Sequence, residues 1–348
     1  MKVLVTGGCG FLGSHICERY IKKGWEVIAY DNLTKYELQR TGFNVLKARD
    51  HNVDFLLKLG VRVLVNDIRD MKDLYQATSN CDYIIHTAAQ PAMTIAIENP
   101  LIDFQTNVEG MLNVLECARL RKIPVAICST IHVYGNGIND HLFEDEDGFQ
   151  LTDASGSEIN EEREILTGEI TPLHASKRTS EIYAQAFSDT YGMDIAVFRL
   201  TGMYGPRQFG GEDHGWVANF AIRTMLKRPI TIFGTNKQVR DILYIKDAVK
   251  AFEMWYDTGR IGGIYNIGGG IKTVESLKTC LMKLKLITDK QQDITIKPGR
   301  EGDLYYFVCN TKKAFKTFLW KATTTVEEGL TRLTHWIKEN ISIFQGEK

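Results

Sequence analysis

One short tract constrains this chain more than any other. Thr6-Gly7-Gly8-Cys9-Gly10-Phe11-Leu12-Gly13 lies directly between an apolar run, Lys2 to Thr6, and a helix-length segment. Glycines at Gly7, Gly10 and Gly13 let backbone approach a pyrophosphate, and the helix opening at Phe11 and Leu12 supplies N–H donors and the positive end of a dipole. A lone glycine triplet is weak evidence, but this one follows a strand, opens a helix and is trailed by Asp31, with Asn32 beside it, at the end of the second apolar run. Asp31 can accept from a ribose hydroxyl and repels a 2′-phosphate, so the pattern predicts a dinucleotide, NAD rather than NADP. Lys35 and Arg40 are the nearby cations that would favour NADP.

The rest of the N-terminal half repeats that rhythm. Apolar runs at Glu26 to Tyr30, Val61 to Asn66, Tyr83 to Thr87, Val125 to Ser129 and Asp194 to Arg199 alternate with helix-length segments. They are nearly continuously apolar, as expected of parallel strands covered on both faces, and predict an α/β fold of the Rossmann type, a doubly wound parallel sheet. Leu101 to Arg121 carries the longest helical signal, through Val108, Met111, Leu112, Leu115 and Ala118. Asp67-Ile68 and Ala88-Ala89-Gln90 end the third and fourth strands, where a cofactor can lie across them. Glu144 to Glu164 holds nine acidic residues and one basic one, with Gly148, Ser155, Gly156 and Ser157, and predicts an irregular solvated insertion or a lid. After Arg199 the rhythm loosens. Residues 1–200, with 241–267 returning to them through a strand at Gly263 to Ile267, form the expected dinucleotide domain; 201–240 and 268–348 form a smaller C-terminal α/β substrate lobe.

Composition narrows the function classes. Forty-two basic against 43 acidic residues leave a formal charge of −1, which gives no field for nucleic acid or an anionic membrane. No apolar run approaches the roughly 20 residues that span a bilayer, and Met1-Lys2-Val3-Leu4-Val5 leads straight into glycines, so a cytoplasmic protein is expected. Seven scattered cysteines, none in a C-x-x-C pair, predict buried thiols rather than disulfides or a metal site.

Gly7-x-x-Gly10-x-x-Gly13, Asp67-Ile68, His86-Thr87-Ala88-Ala89-Gln90, Asn107, Ser129-Thr130-Ile131-His132-Val133-Tyr134-Gly135, Ala175-Ser176-Lys177 and Tyr204-Gly205-Pro206-Arg207 occur in the order of the extended short-chain dehydrogenase/reductases, which the chain resembles over nearly its whole length. Within that superfamily it is most similar to the CDP-tyvelose (CDP-paratose) 2-epimerases, through Ala92-Met93-Thr94, Met203-Tyr204-Gly205, Arg207-Gln208-Phe209, His214-Gly215-Trp216-Val217 and Lys237-Gln238-Val239-Arg240-Asp241. The resemblance implies a tightly held NAD, touched also by Asn107, Ser129 and Lys177. That NAD takes a hydride from a nucleotide-diphosphate sugar, CDP-activated by preference, and often returns it. It further implies a homodimer built on the Leu101 to Arg121 helix and the helix after Pro172.

In such proteins a tyrosine four residues before the active-site lysine removes the sugar hydroxyl proton, and a Ser or Thr, here Thr130, steadies the oxygen. Four residues before Lys177 stands Leu173, which cannot take a proton. Three repairs are open. His132 lies two residues after Thr130, where related dehydratases carry an acid–base glutamate; His174 adjoins the vacant position; or water or the substrate's phosphate accepts the proton. Arg207, Arg240 and Arg300 lie in loops that the family directs at the diphosphate, and Gln90, Thr94, Gln208, Gln238 and Trp216 are candidates for the rest of the substrate. Gly202 stands where many relatives carry a diphosphate-binding Asn. The readings that follow are an NAD-dependent epimerase, a dehydratase or net dehydrogenase on the same fold, or a binding protein that lost its chemistry with the tyrosine.

Overall fold

The computed structural model describes residues 1–34, 36–152 and 156–346. Lys35, weighed above for NADP, and Ser155 of the acidic stretch lie outside the described residues. Strands β1 (Lys2–Thr6), β2 (Glu26–Asp31), β3 (Arg62–Val65), β4 (Tyr83–His86) and β5 (Val125–Thr130) alternate with helices α1 (Phe11–Lys22), α2 (Val45–Lys58) and α3 (Met71–Ala77) and, before β5, a helical run of α4 (Met93–Glu98), α5 (Pro100–Phe104) and α6 (Gly110–Arg121). Hairpin strands β6 (Leu142–Glu144) and β7 (Phe149–Leu151) precede α7 (Pro172–Tyr191) and β8 (Ile195–Leu200).

Beyond β8 come β9 (Gly202–Tyr204), α8 (Trp216–Leu226), β10 (Ile230–Phe233), β11 (Val239–Tyr244), α9 (Ile245–Asp257), β12 (Gly263–Ile267), β13 (Val274–Ser276), α10 (Leu277–Thr288), β14 (Ile294–Lys297) and β15 (Tyr306–Phe307). Seven parallel strands form one sheet in the order β12-β8-β5-β4-β1-β2-β3. This is the doubly wound Rossmann arrangement. The order reverses between β1 and β4, which opens a crevice at their carboxyl ends, the place where such sheets bind ligands. β11 pairs with β9, β13 and β15, and β10 with β14, in small sheets outside the large one. The stretch expected to return to the large sheet therefore does so through β12, while residues 241–244 complete β11 elsewhere.

Two expectations change in detail. The Leu101 to Arg121 helix is interrupted by a π-helical turn at Gln105–Glu109, which buries Asn107 and Val108. The acidic stretch is anchored rather than loose: it forms the β6–β7 hairpin, buries Ile159 against Cys309 through a β-bridge, and its Glu161 carboxylate accepts from the Asn266 N–H. All seven cysteines are free thiols, and no helix among the described residues is long and apolar enough to cross a membrane.

Candidate active site

The glycine tract works by close approach. Gly7 has φ +66° and a Cβ there would sit 2.6 Å from the Ala88 nitrogen; a Cβ on Gly13 would sit 2.1 Å from the Gly7 carbonyl oxygen. The turn from β1 into α1 thus lies flush against the end of β4. A cavity of about 380 Å³ opens above it, lined by Gly7, Gly10, Phe11, Leu12 and Gly13 and, on either side, by Asp31, Asn32, Ile68, Ala88 and Ala89. The Asp31 carboxylate is held in place by the Cys9 N–H at 2.9 Å and the Leu33 N–H at 2.8 Å. Ser129 and Lys177 close the far end of the cavity. Lys177 is half-buried, makes no hydrogen bond or ion pair among the described residues, and has its pKa lowered by burial. A backbone cradle with no room for a side chain, an acid at one end and an unpaired ammonium at the other fit a dinucleotide.

Several residues expected at the cofactor or the substrate have their side chains engaged within the protein. Asp67 does not line the cavity: its carboxylate takes Arg69 at 2.7 Å and Asn32 at 2.8 Å, and hydrogen bonding from the Arg69 guanidinium pulls its pKa down to about 2. Asn107, on the π turn, spends its amide inside the protein. It accepts from the Gln90 N–H at 2.9 Å and donates to the Gln90 carbonyl at 3.1 Å, and so positions the end of β4. Gln90 lines the first cavity, but both N–H groups of its amide are spent on the Ala92 carbonyl and the Asp103 carboxylate, and its oxygen accepts from the Ala92 N–H. Arg207, expected at the diphosphate of the substrate, is buried against the dinucleotide cavity, paired with Glu18 at 2.7 Å and stacked on Phe55. Arg40 is committed to Glu98 and, at 3.5 Å, to Asp213.

A second cavity, of about 580 Å³, lies between α8 and the small sheets and is lined by Thr94, Trp216, Gln238, Arg240 and Arg300. Arg240 donates to the Val239 carbonyl at 2.8 Å and faces Asp303 at 3.4 Å; Arg300 lies 3.8 Å over the Phe233 ring and 3.7 Å from Asp213. Gln238 donates to the Phe233 carbonyl at 2.6 Å and Gln208 to that of Met203 at 3.1 Å. A Cβ on Gly202 would sit 3.5 Å from Trp216 Nε1, so the indole edge takes the space beside the position where relatives carry Asn.

The two cavities meet at Thr130, His132, Leu173, Gln208 and His214, which line both. Leu173 therefore projects its aliphatic side chain into the junction. Thr130 ends β5 and accepts from the His132 N–H at 3.2 Å. The His132 Nδ1 is buried and has no hydrogen-bond partner among the described residues. Burial foremost, and the Arg240 charge next, lower its pKa to about 3, so the ring is neutral near pH 7. His174 is not available to replace the tyrosine. It lines neither cavity, and its Nδ1 accepts from the Thr171 N–H at 2.9 Å in a capping box that starts α7.

Two features escaped the sequence reading. One is His214, quoted above in a motif but given no role, because a loop residue has no periodicity to mark its direction. The other is the buried Glu181–Arg199 pair, with contacts of 2.9 and 2.7 Å, to which Ser129 donates at 2.6 Å. It fixes the residue before Thr130.

Residues 3–268 match the model of the "NAD dependent epimerase/dehydratase family". The chain is 32% identical over 349 residues to the CDP-paratose 2-epimerase of Salmonella typhi, covering 97% of this chain and 99% of that one. It is 31% identical to a putative UDP-glucose 4-epimerase of Methanocaldococcus jannaschii, with the same coverage. Among solved structures it is similar to the UDP-glucose 4-epimerase of Thermus thermophilus in complex with NAD, at TM-score 0.79, 28% identity and coverage of 97% of this chain and 99% of that one.

Proposed function

The chain belongs to the NAD dependent epimerase/dehydratase family, with NAD as its cofactor, and from that premise we propose that it interconverts two epimers of a nucleotide-diphosphate sugar. On this reading the substrate is a CDP-sugar and the carbon inverted is C2, as the name of the Salmonella relative suggests. The observation that carries the reading is the junction itself: a neutral imidazole with a free buried Nδ1 stands where both cavities open, beside Thr130 and Leu173. When bound, NAD would supply the hydride acceptor for the sugar carbon and the donor that restores it. Lys177 holds the nicotinamide ribose, Thr130 orients the reacting hydroxyl, and His132 Nδ1 takes its proton. Arg240 and Arg300 grip the diphosphate, which displaces Asp303 and Asp213 as their partners. The assembly is a homodimer that buries Leu101 and Phe104 of α5 and Ile182 and Tyr183 of α7, four apolar side chains between 40% and 62% exposed in the single chain.

Proton NMR of the NAD-loaded protein in deuterated water with CDP-, UDP-, GDP- and dTDP-sugars tests the reading. The expected result is an inverted CDP-hexose with unchanged mass. Loss of water from the sugar would establish a dehydratase, and binding without turnover across the panel would establish the binding protein that Leu173 alone suggests.

A further inference from the structure

Among the described residues that line both cavities, His132 and His214 are the two that carry an imidazole, a side chain able to accept and to donate a proton. They reach the junction from different walls. His132 follows the end of β5 in the large sheet, whereas His214 comes from the loop between β9 and α8. That loop is fixed on both sides of the histidine. Asp213 is tied to Arg40 at 3.5 Å and Arg300 at 3.7 Å; the His214 carbonyl accepts from the Gly211 N–H at 3.0 Å; and Gly215, at φ +67°, packs so closely that a Cβ would sit 2.8 Å from Gln208 Nε2.

We propose that His214 is the second proton-transfer residue of this site, serving one epimer while His132 serves the other. The inference rests on the epimerase reading above. A hexose held through C1 shows its other face by turning about the line from C1 to C4. An oxygen on C4 stays near that line and within reach of one base, but an oxygen on C2 swings from one side of it to the other. Inversion at C2 therefore places the oxygen against two different walls, and this junction has an imidazole on each. The balance closes. In the first half the C2–H bond breaks, its electron pair leaving with the hydrogen as hydride to the cofactor, and the hydroxyl proton passes to His132 as C=O forms. In the second half the hydride forms a C2–H bond on the opposite face and protonated His214 gives its proton to the oxygen. Exchange with water resets both rings between turnovers.

The test measures binding of CDP-paratose, CDP-tyvelose and CDP by calorimetry on the NAD-loaded protein, and interconversion of the two sugars by NMR. His214→Ala is expected to bind CDP as the native protein does, to bind one epimer more weakly and the other unchanged, and to interconvert them about 100-fold more slowly or worse. His132→Ala is expected to weaken the opposite epimer. His214→Gln keeps a hydrogen bond but cannot carry a proton, so it regains the binding and not the rate. A His214→Ala protein that turns over within about 3-fold of native, or binds both epimers as native does, overturns the role of His214. A native protein that inverts neither this pair nor any sugar of the wider panel overturns the epimerase reading instead.

Discussion

Leu173 is the residue on which the chemistry turns. Its sequence position, four before Lys177, announced a missing phenol; that its side chain faces the junction is a fact of the helix start. Thr171 and His174 cap α7 and Pro172 occupies its first turn, which fixes the rotation of the helix and with it the direction of Leu173. His174 illustrates the limit of reading residues one at a time, since a histidine beside a vacant catalytic position reads equally well as a base or as a cap. His132 differs from it in lining both cavities, whereas His174 lines neither. If His132 is the base, restoring the tyrosine should not help. Leu173→Tyr puts a larger side chain into the space the sugar needs, so kcat/KM is expected to fall about 10-fold or more while NAD binding persists. Steady-state rates and fluorescence titration of NAD check both, and a variant faster than the native protein would sink the assignment of His132.

At the scale of elements, the large sheet was legible because each strand is a short apolar run closed by a turn, and every one of its seven strands lies within a residue or two of its sequence reading. The small sheets were not. β9, β13 and β15 are two or three residues long and pair with β11 across tens of residues, so no local period announces them. The π turn at Gln105–Glu109 was hidden for a different reason: one extra residue in a turn leaves the apolar spacing on either side intact, yet it brings Asn107 inward to hold the Gln90 backbone. The outward faces of α5 and α7 remain apolar, and their exposure motivates the homodimer. Ile182→Asp on α7 places a charge in that contact and is expected to yield monomers at concentrations where the native protein sediments as a dimer; a native protein that sediments as a monomer would remove the assembly.

For the molecule as a whole, folding hides, besides the capping His174, two histidines that no part of the proposed chemistry uses. His15 on α1 has its Nε2 2.8 Å from the Pro206 carbonyl, and His86 on β4 has its Nδ1 2.8 Å from the Thr6 hydroxyl. Both are buried, and burial, aided by Arg207 for His15 and by Lys177 for His86, lowers each pKa from 6.5 to about 3. Between these values the unfolded chain binds the protons and the folded one does not, so stability falls as pH drops below about 6.5 and the loss is complete only near pH 3. At pH 5 each histidine costs about 2 kcal/mol relative to pH 8. Asp241 acts in the opposite sense. Burial raises its pKa to about 6, so the folded chain takes up that proton first and regains about 1.4 kcal/mol at pH 5. His132, lowered likewise to about 3, adds to the loss, and together the three rings outweigh Asp241, so the net expectation is a loss of stability between pH 8 and pH 5, read as a lower urea midpoint at unchanged slope. His15→Gln can still donate toward Pro206 but does not titrate, so its midpoint should depend on pH less steeply than that of the native chain. Equal slopes for the two proteins, or a midpoint that holds steady from pH 8 to pH 5, would show that these rings are not kept neutral by the fold.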